Sequence, residues 1–253
     1  MADLNCPALR ASAPSALETI GGTELKAATP SVAVDVVIFT IEEHTLKALL
    51  VRVKDGPFAG RWAFPGGRVP IGEPPEQTAG RELAAQTGIR DVYLEQLRTF
   101  GNPGRDPEAH VVSIAYFALV PEVAAASDLP LVPTVQRRGG DTKYAGARWA
   151  PVHQLPPLAY DHRQIARYAR ERLQAKLGYT NIAYSLLPRQ FTLADLQNVY
   201  EVILGRQLDR RNFRKKLLAA GLLQPLAAQR RGNHRPAQLY RFLRRTPMRA
   251  EIL

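Results

Sequence analysis

Three groups of residues in the 253-residue chain are of types and spacings that do chemistry. The first runs Gly67, five residues, Glu73, seven residues, Arg81-Glu82-Leu83, and closes on Gly88-Ile89. On a helix, positions 82, 85 and 86 are related as i, i+3 and i+4 and share one face. Here that face carries Glu82, Ala85 and Gln86, so it holds a single carboxylate. Glu73 and Arg81 are expected to pair and fix the preceding loop on the helix. The second group is basic: Arg210, Arg211, Asn212, Arg214 and Lys215, followed by Arg230, Arg231, His234 and Arg235. Guanidinium and ammonium groups bind phosphate oxygens, and Arg and Asn also read guanine and adenine edges in the major groove. The third group lies in loops. Arg68, Arg105 and Asp106 are placed to meet phosphate or ribose groups, and Trp62, Phe64 and Tyr160 to stack a base.

The charge distribution singles out the second group. Residues 1–160 carry 15 Lys/Arg against 17 Asp/Glu, a net −2, whereas residues 161–253 carry 19 against 6, a net +13. Confinement of the positive charge to one foldable segment points to a polyanion, which the helix pair and hairpin predicted within it narrow to double-stranded DNA as the expected partner. Composition removes other classes. The lone cysteine, Cys6, permits neither an intrachain disulfide nor a cysteine zinc cage, which favours a reducing, cytoplasmic compartment. The five histidines show no close ligand spacing, so none is assigned to a metal. The longest nearly uncharged apolar stretch, Val111 to Val120, is about half of what a membrane helix needs, and no membrane partner is expected.

The elements that must position these residues read as follows. Residues 1–30, rich in Ala, Ser, Thr and Pro, are expected to form a loose tail. Val32 to Thr40 and Leu46 to Val53 predict two antiparallel strands around Glu42-Glu43-His44. A Gly/Pro-rich loop spans Gly56 to Gly67. Pro74-Pro75 then opens a helix over Glu76 to Thr87, stopped by Gly88. Strand patterns resume over Val92 to Phe100 and His110 to Val120, and Asn102 to Pro107 has the composition of a turn. Pro121 to Ala147 is expected to be a long excursion with at most one short element. Asp161 is expected to cap a helix to about Leu177, with Ile165, Tyr168, Ala169, Leu173 and Leu177 on one face.

Further on, Thr192 is expected to cap a helix bearing Leu193, Leu196, Val199, Tyr200 and Ile203, ended by Gly205. Asp209 caps a second helix, Arg210 to Ala220, with Phe213, Leu217 and Leu218 on its buried side. Leu222-Leu223, a basic loop from Gln229 to Pro236, and Leu239 to Phe242 predict a hairpin. Helix, short turn, basic helix and basic-tipped hairpin together make a winged helix-turn-helix.

The first group resembles the Nudix box, and the preceding Gly60-Arg61-Trp62-Ala63-Phe64-Pro65-Gly66 is similar to the segment that leads into it. In the hydrolases bearing that box, glutamates stand where this chain has Glu82, Ala85 and Gln86 and jointly hold divalent metal. With two of those carboxylates missing, neutralisation of a leaving pyrophosphate and activation of a water both weaken. No catalytic residue and no metal is therefore assigned, and Glu82 is expected to be structural or a residual metal ligand.

The box together with Leu155-Pro156-Pro157-Leu158-Ala159-Tyr160-Asp161-His162, the stretch Leu208 to Leu217, and Arg235-Pro236-Ala237-Gln238-Leu239-Tyr240 resembles the Nudix-related transcriptional regulator family, NrtR. That resemblance implies an α/β/α-sandwich Nudix domain (31–160), a linking helix and connector (161–188), and a winged-helix domain (189–253), an α+β chain overall. It implies a bacterial homodimeric repressor of NAD-biosynthesis or salvage genes on a palindromic operator. Its effector would be ADP-ribose or a related NAD metabolite, with no cofactor required. The alternative is a Nudix hydrolase of ADP-ribose-like nucleoside diphosphates with a basic accessory domain.

Overall fold

The computed structural model describes residues 29–88, 90, 92–121, 144–230, 236–250 and 252. Cys6, most of the expected tail, Ile89, and the wing-tip residues Arg231, His234 and Arg235 lie outside these, as does the Gln86 side chain.

A seven-stranded mixed sheet forms the first part. Its strands are β1 (Ser31–Glu42), β2 (Thr45–Val53), β3 (Trp62–Ala63), β4 (Gly66–Arg68), β5 (Tyr93–Phe100), β6 (Val111–Leu119) and β7 (Tyr144–Pro151). The strand β1 pairs parallel with β6 along one edge. Its other edge is shared by β4 near Asp35 and β2 near Phe39. Both faces of the sheet are covered, which is why β1 reads as an almost continuous apolar run. Val34, Val36 and Ile38 pack with Ala79 and Leu83 of α1 (Pro75–Thr87). Val37 and Phe39, on the opposite face, share a core with Ile165, Ala169, Leu173 and Leu177 of α2 (His162–Tyr179).

Gly88 ends α1 as expected, with φ 67° and its N–H donating to the Ala84 carbonyl at 2.8 Å. The Gly/Pro loop contains the two short strands β3 and β4, and β7 emerges from the end of the expected excursion, whose residues 122–143 lie outside the described ones. Arg148-Trp149-Ala150 lacks a clean two-residue alternation, yet pairing with β2 over Lys47 to Val53 holds it extended.

The helix α2 is the second outer layer of the sandwich. Its expected cap is corrected: Asp161 makes no side-chain bond to the helix N-terminus, because Arg105 occupies its carboxylate. Tyr168 is only partly buried, and Ala166 takes its place on the inward face.

After a 3₁₀ segment (Ile182–Leu186), β8 (Phe191–Thr192), α3 (Leu193–Leu204), α4 (Arg210–Ala219), β9 (Leu223–Arg230) and β10 (Ala237–Phe242) build the second part. The sheet order is β8-β10-β9, which leaves β9 as an edge strand that tolerates Pro225. Phe191, Tyr200, Phe213, Tyr240 and Phe242 fill its interior. The same continuous core includes α2, so the two parts pack on one another. Leu218 does not join it: at 44% exposure it lies on the outer face beside the buried Leu217. No helix among the described residues is long and apolar enough to cross a membrane.

Candidate effector cavity and nucleic-acid interface

A cavity of about 320 Å³ opens between β1, β4 and the start of α2, lined by Asp35, Phe64, Gly67, Arg68, Arg105, Asp106, Tyr160 and His162 among others. This is the small end of the size range of small-molecule sites. Five of the six expected ligand residues converge on it: Phe64, Arg68, Arg105, Asp106 and Tyr160. Trp62 does not line it; the Arg148 guanidinium covers its ring at 4.3 Å.

A buried polar network floors the cavity. Arg105, on a short 3₁₀ turn (Pro103–Arg105), is 7% exposed rather than displayed on a loop. Its Nη2 donates to Asp35 Oδ2 at 3.0 Å and to Asp161 Oδ1 at 2.7 Å, and its Nε to Asp161 Oδ2 at 3.1 Å. Ser113 Oγ donates to Asp35 Oδ2 at 2.6 Å, and His162 Nε2 lies 3.3 Å from Asp35 Oδ1. The Phe64 N–H donates to His162 Nδ1 at 2.8 Å, which places the imidazole proton on Nε2, facing Asp35. Burial alone disfavours the Asp35 charge, but His162, Arg105 and Ser113 outweigh it and hold the carboxyl far below the usual carboxylate range.

Gly66 is needed beside this network. A Cβ there would sit 2.3 Å from the Val34 carbonyl oxygen and 2.7 Å from Asp35 Oδ1, so only glycine lets β4 close on β1. Tyr144 clamps the same residue, donating to the Gly66 carbonyl at 2.8 Å.

Two aspartates neutralise Arg105, which leaves Arg68 as the better cation for an anionic ligand. Arg68 is exposed at the cavity rim, and Nη1 donates to the neutral Ser31 hydroxyl at 2.9 Å. Phe64 stacks on His162 with centroids 5.5 Å apart, and Tyr160 leans on Phe58 at 4.5 Å, giving the cavity an aromatic wall.

Of the box residues Gly67 lines this cavity, whereas Glu73, Arg81, Glu82 and Ala85 are not part of its lining. Glu73 Oε1 accepts from Arg81 Nε at 3.3 Å and from Thr78 at 3.0 Å, the expected fixing of loop on helix. Glu82 is 3% exposed, and its Oε1 accepts from Arg81 Nη1 at 3.2 Å. One turn on, the half-buried Ala85 supplies no ligand atom. Among the described residues no three His, Cys, Asp or Glu side chains are grouped to hold a metal.

At the other end of the chain, Thr192 and Asp195 close a capping box on α3: Thr192 Oγ1 accepts from the Asp195 N–H at 3.1 Å, and Asp195 Oδ2 from the Thr192 N–H at 2.8 Å. Glu201 locks the turn that follows. Its Oε1 accepts from the Leu208 N–H and Gln197 Nε2, both at 2.8 Å, and these bonds lower its pKa. Asp209 caps α4 by accepting from the Asn212 N–H at 2.8 Å. Arg210, Arg211, Asn212, Arg214 and Lys215 are all exposed on α4. Cations at the N-terminal end of a helix oppose its dipole, so this placement does not serve the helix. A polyanion would relieve it. Arg230, at the end of β9, is held by Asp195 at 2.9 Å.

Asp35, Ser113 and His162 were not among the expected site residues. Their signal is present, since Asp35 is a lone carboxylate inside the apolar run of β1 and His162 follows Asp161 directly.

Residues 29–171 match the NUDIX domain family, and residues 183–242 match the family described as NrtR DNA-binding winged helix domain. The chain is 35% identical over 217 residues to the ADPR responsive transcriptional repressor NtrR of Acinetobacter baylyi, an alignment that covers 84% of this chain and 82% of the relative. It is 34% identical over 138 residues to the ADP-ribose pyrophosphatase of Methanocaldococcus jannaschii, covering 54% of this chain and 72% of that one. The crystal structure of Shewanella oneidensis NrtR complexed with a 27mer DNA superposes with a TM-score of 0.72 at 36% identity, over 83% of this chain and 93% of that chain.

Proposed function

Because the chain belongs to the family of Nudix-related transcriptional regulators, NrtR, we propose that it is a repressor whose winged helix binds an operator and whose Nudix cavity senses ADP-ribose or a related NAD metabolite. The observation that carries this reading is the packing of two unlike binding surfaces on one continuous core. One is an aromatic-walled cavity with Arg68 at its rim, and the other is a helix whose N-terminal half presents exposed cations. The regulated genes are those of NAD biosynthesis or salvage, the operator is palindromic, and the chain acts as a homodimer in the cytoplasm, whose two-fold axis matches that of the operator.

The Nudix box serves structure rather than hydrolysis. Arg81 engages both Glu73 and Glu82, and Ala85 removes a carboxylate from the face that would hold divalent metal, so these residues do not fit a hydrolase-type magnesium site. Similarity to an ADP-ribose pyrophosphatase supports recognition of the same ligand class by the cavity.

Ligand and DNA oppose each other when each prefers a different arrangement of the two domains. A useful effector then needs about 1 to 3 kcal/mol of differential affinity. The test is anisotropy of a labelled duplex selected from a random library by the full-length protein, titrated with ADP-ribose at fixed salt. Loss of specific binding on titration is the expected result. Binding indifferent to ADP-ribose would remove that effector. Failure to select any DNA, with magnesium-dependent turnover of ADP-ribose that falls on Glu82→Gln, would establish the hydrolase instead.

A further inference from the structure

Besides the shared apolar core, two side-chain hydrogen bonds tie α3 to elements that lead back to the cavity. The first support is β1. Asp35 lies at the cavity, and the strand runs about 23 Å at about 3.3 Å per residue to Glu42. A two-residue turn follows, in which Glu43 and His44 adopt φ of 49° and 55°. Such hairpins favour Asn-Gly, because both central residues must be left-handed. Here neither is Gly or Asn, so local propensity does not select the turn. His44 Nδ1 instead donates to Asn198 Oδ1 at 2.7 Å, seating the turn on α3.

The second support is α2. His162 at its start faces Asp35, and about 18 Å along the helix, at about 1.5 Å per residue, Gln174 Nε2 donates to the Ile203 carbonyl at 2.8 Å. Ile203 is in the last turn of α3, where carbonyls have no partner within the helix. The helix α3 is thus gripped at its middle by β1 and at its end by α2. Tyr200 of α3 packs on Phe213 of α4 at 5.0 Å, so α4 follows α3.

Arg105 bridges the roots of both supports, bonding Asp35 on β1 and Asp161 at the start of α2. We propose that Arg105 is the coupling residue and that His44 and Gln174 are the positioning residues that carry cavity occupancy to the DNA-binding helices. An anionic ligand seated on Arg68 at the rim brings its negative charge beside Asp35 and Asp161, and that repulsion loosens the hold of Arg105 on one aspartate. The roots of β1 and α2 then shift relative to each other, and α3 tilts between its two grips. The inference rests on the proposed function above and adds the route by which the effector acts.

The test uses the full chain with His44→Ala, Gln174→Ala and the double variant. His44 is exposed and Gln174 half-buried, so the fold does not depend on either, and thermal melting verifies this. Three quantities are read: the ADP-ribose dissociation constant by calorimetry, and the affinity for the selected duplex with and without saturating ADP-ribose. In the double variant the two separate affinities are expected to stay within about threefold of wild type, while the factor by which ADP-ribose weakens DNA binding falls at least about fivefold. A merely structural role would not move that factor alone. An undiminished factor in the double variant overturns the inference and leaves the proposed function standing. A wild-type chain whose DNA binding ignores ADP-ribose overturns both.

Discussion

Arg105 donates to Asp161 through both Nε and Nη2, at 3.1 and 2.7 Å, and the pair reverses what each residue's place in the chain suggests. The arginine follows Pro and Gly in a turn-like stretch, where an exposed ligand contact is the natural reading. The aspartate precedes a helix, where an N-cap is the natural reading. The pair instead joins a loop to the start of α2 beneath the cavity floor, and Asp35 completes the network from β1.

Replacing Arg105 with Met leaves Asp35 and Asp161 facing each other without their cation. Loss of one partner from a buried ionic network costs about 3–5 kcal/mol, chiefly because the remaining charge stays desolvated. Urea unfolding of Arg105→Met is expected to show a midpoint lowered accordingly. Arg105→Lys, which keeps the charge and loses the fork, should fall between the variant and wild type. A cost below about 1 kcal/mol, the range of exposed pairs, would mean that the network adds little to stability.

Acid should act through Asp35. Its carboxyl titrates far below the usual range in the folded chain, and near 3.9 or so when unfolded. A depressed folded pKa contributes stability that is complete above the unfolded value and is lost as the pH falls below it. Unfolding free energy measured from pH 6 down to pH 3 is therefore expected to decline more steeply for wild type than for Asp35→Asn, and the two should run parallel above about pH 5. Identical slopes throughout would show that Asp35 is not the group responsible.

The parts of the chain legible in sequence are those decided by local chemistry. Thr192, Asp209, Gly88 and Gly205 mark helix ends because caps and left-handed glycines act within a few residues, and each sits where expected. The basic face of α4 could be read from its composition and proved exposed. Elements fixed by distant partners were not legible. The strand β7 exists through β2, about a hundred residues away in sequence. Asp161 was lost as a cap to Arg105, and the fate of Trp62 depended on Arg148. The cavity was half legible, since Phe64 and Arg68 flank the start of the box and Asp106 and Tyr160 stand in loop-like stretches, while Asp35 and Ser113 come from adjoining strands joined only by the β1–β6 pairing.

The cap of α4 bears on function as well as stability. Asp209 is the anion at the N-terminus of a helix whose first turns hold Arg210, Arg211 and Arg214, so it satisfies the Asn212 N–H and offsets part of the like-charge crowding. Asp209→Ala is expected to destabilise the chain by about 1 kcal/mol, within the usual range for lost caps. DNA affinity should also weaken, because the residues presented to the groove begin at that turn. Asp209→Asn, which keeps the acceptor, should restore most of the stability, as followed by thermal unfolding.

Arg230 and the α4 cations should differ in their salt signatures. Asp195 holds the Arg230 guanidinium at 2.9 Å while also closing the α3 capping box, so part of that charge is already compensated. Arg210, Arg211, Arg214 and Lys215 have no such carboxylate partner among the described residues. Each cation seated on a phosphate contributes about 0.9 to the slope of log affinity against log salt. Arg214→Ala is therefore expected to flatten the slope by about that amount, and Arg230→Ala by clearly less. Asp195→Asn, which releases the wing arginine, should steepen it. Equal flattening by the two arginine substitutions would show that the Asp195 pairing is given up on DNA and that Arg230 is a full phosphate contact.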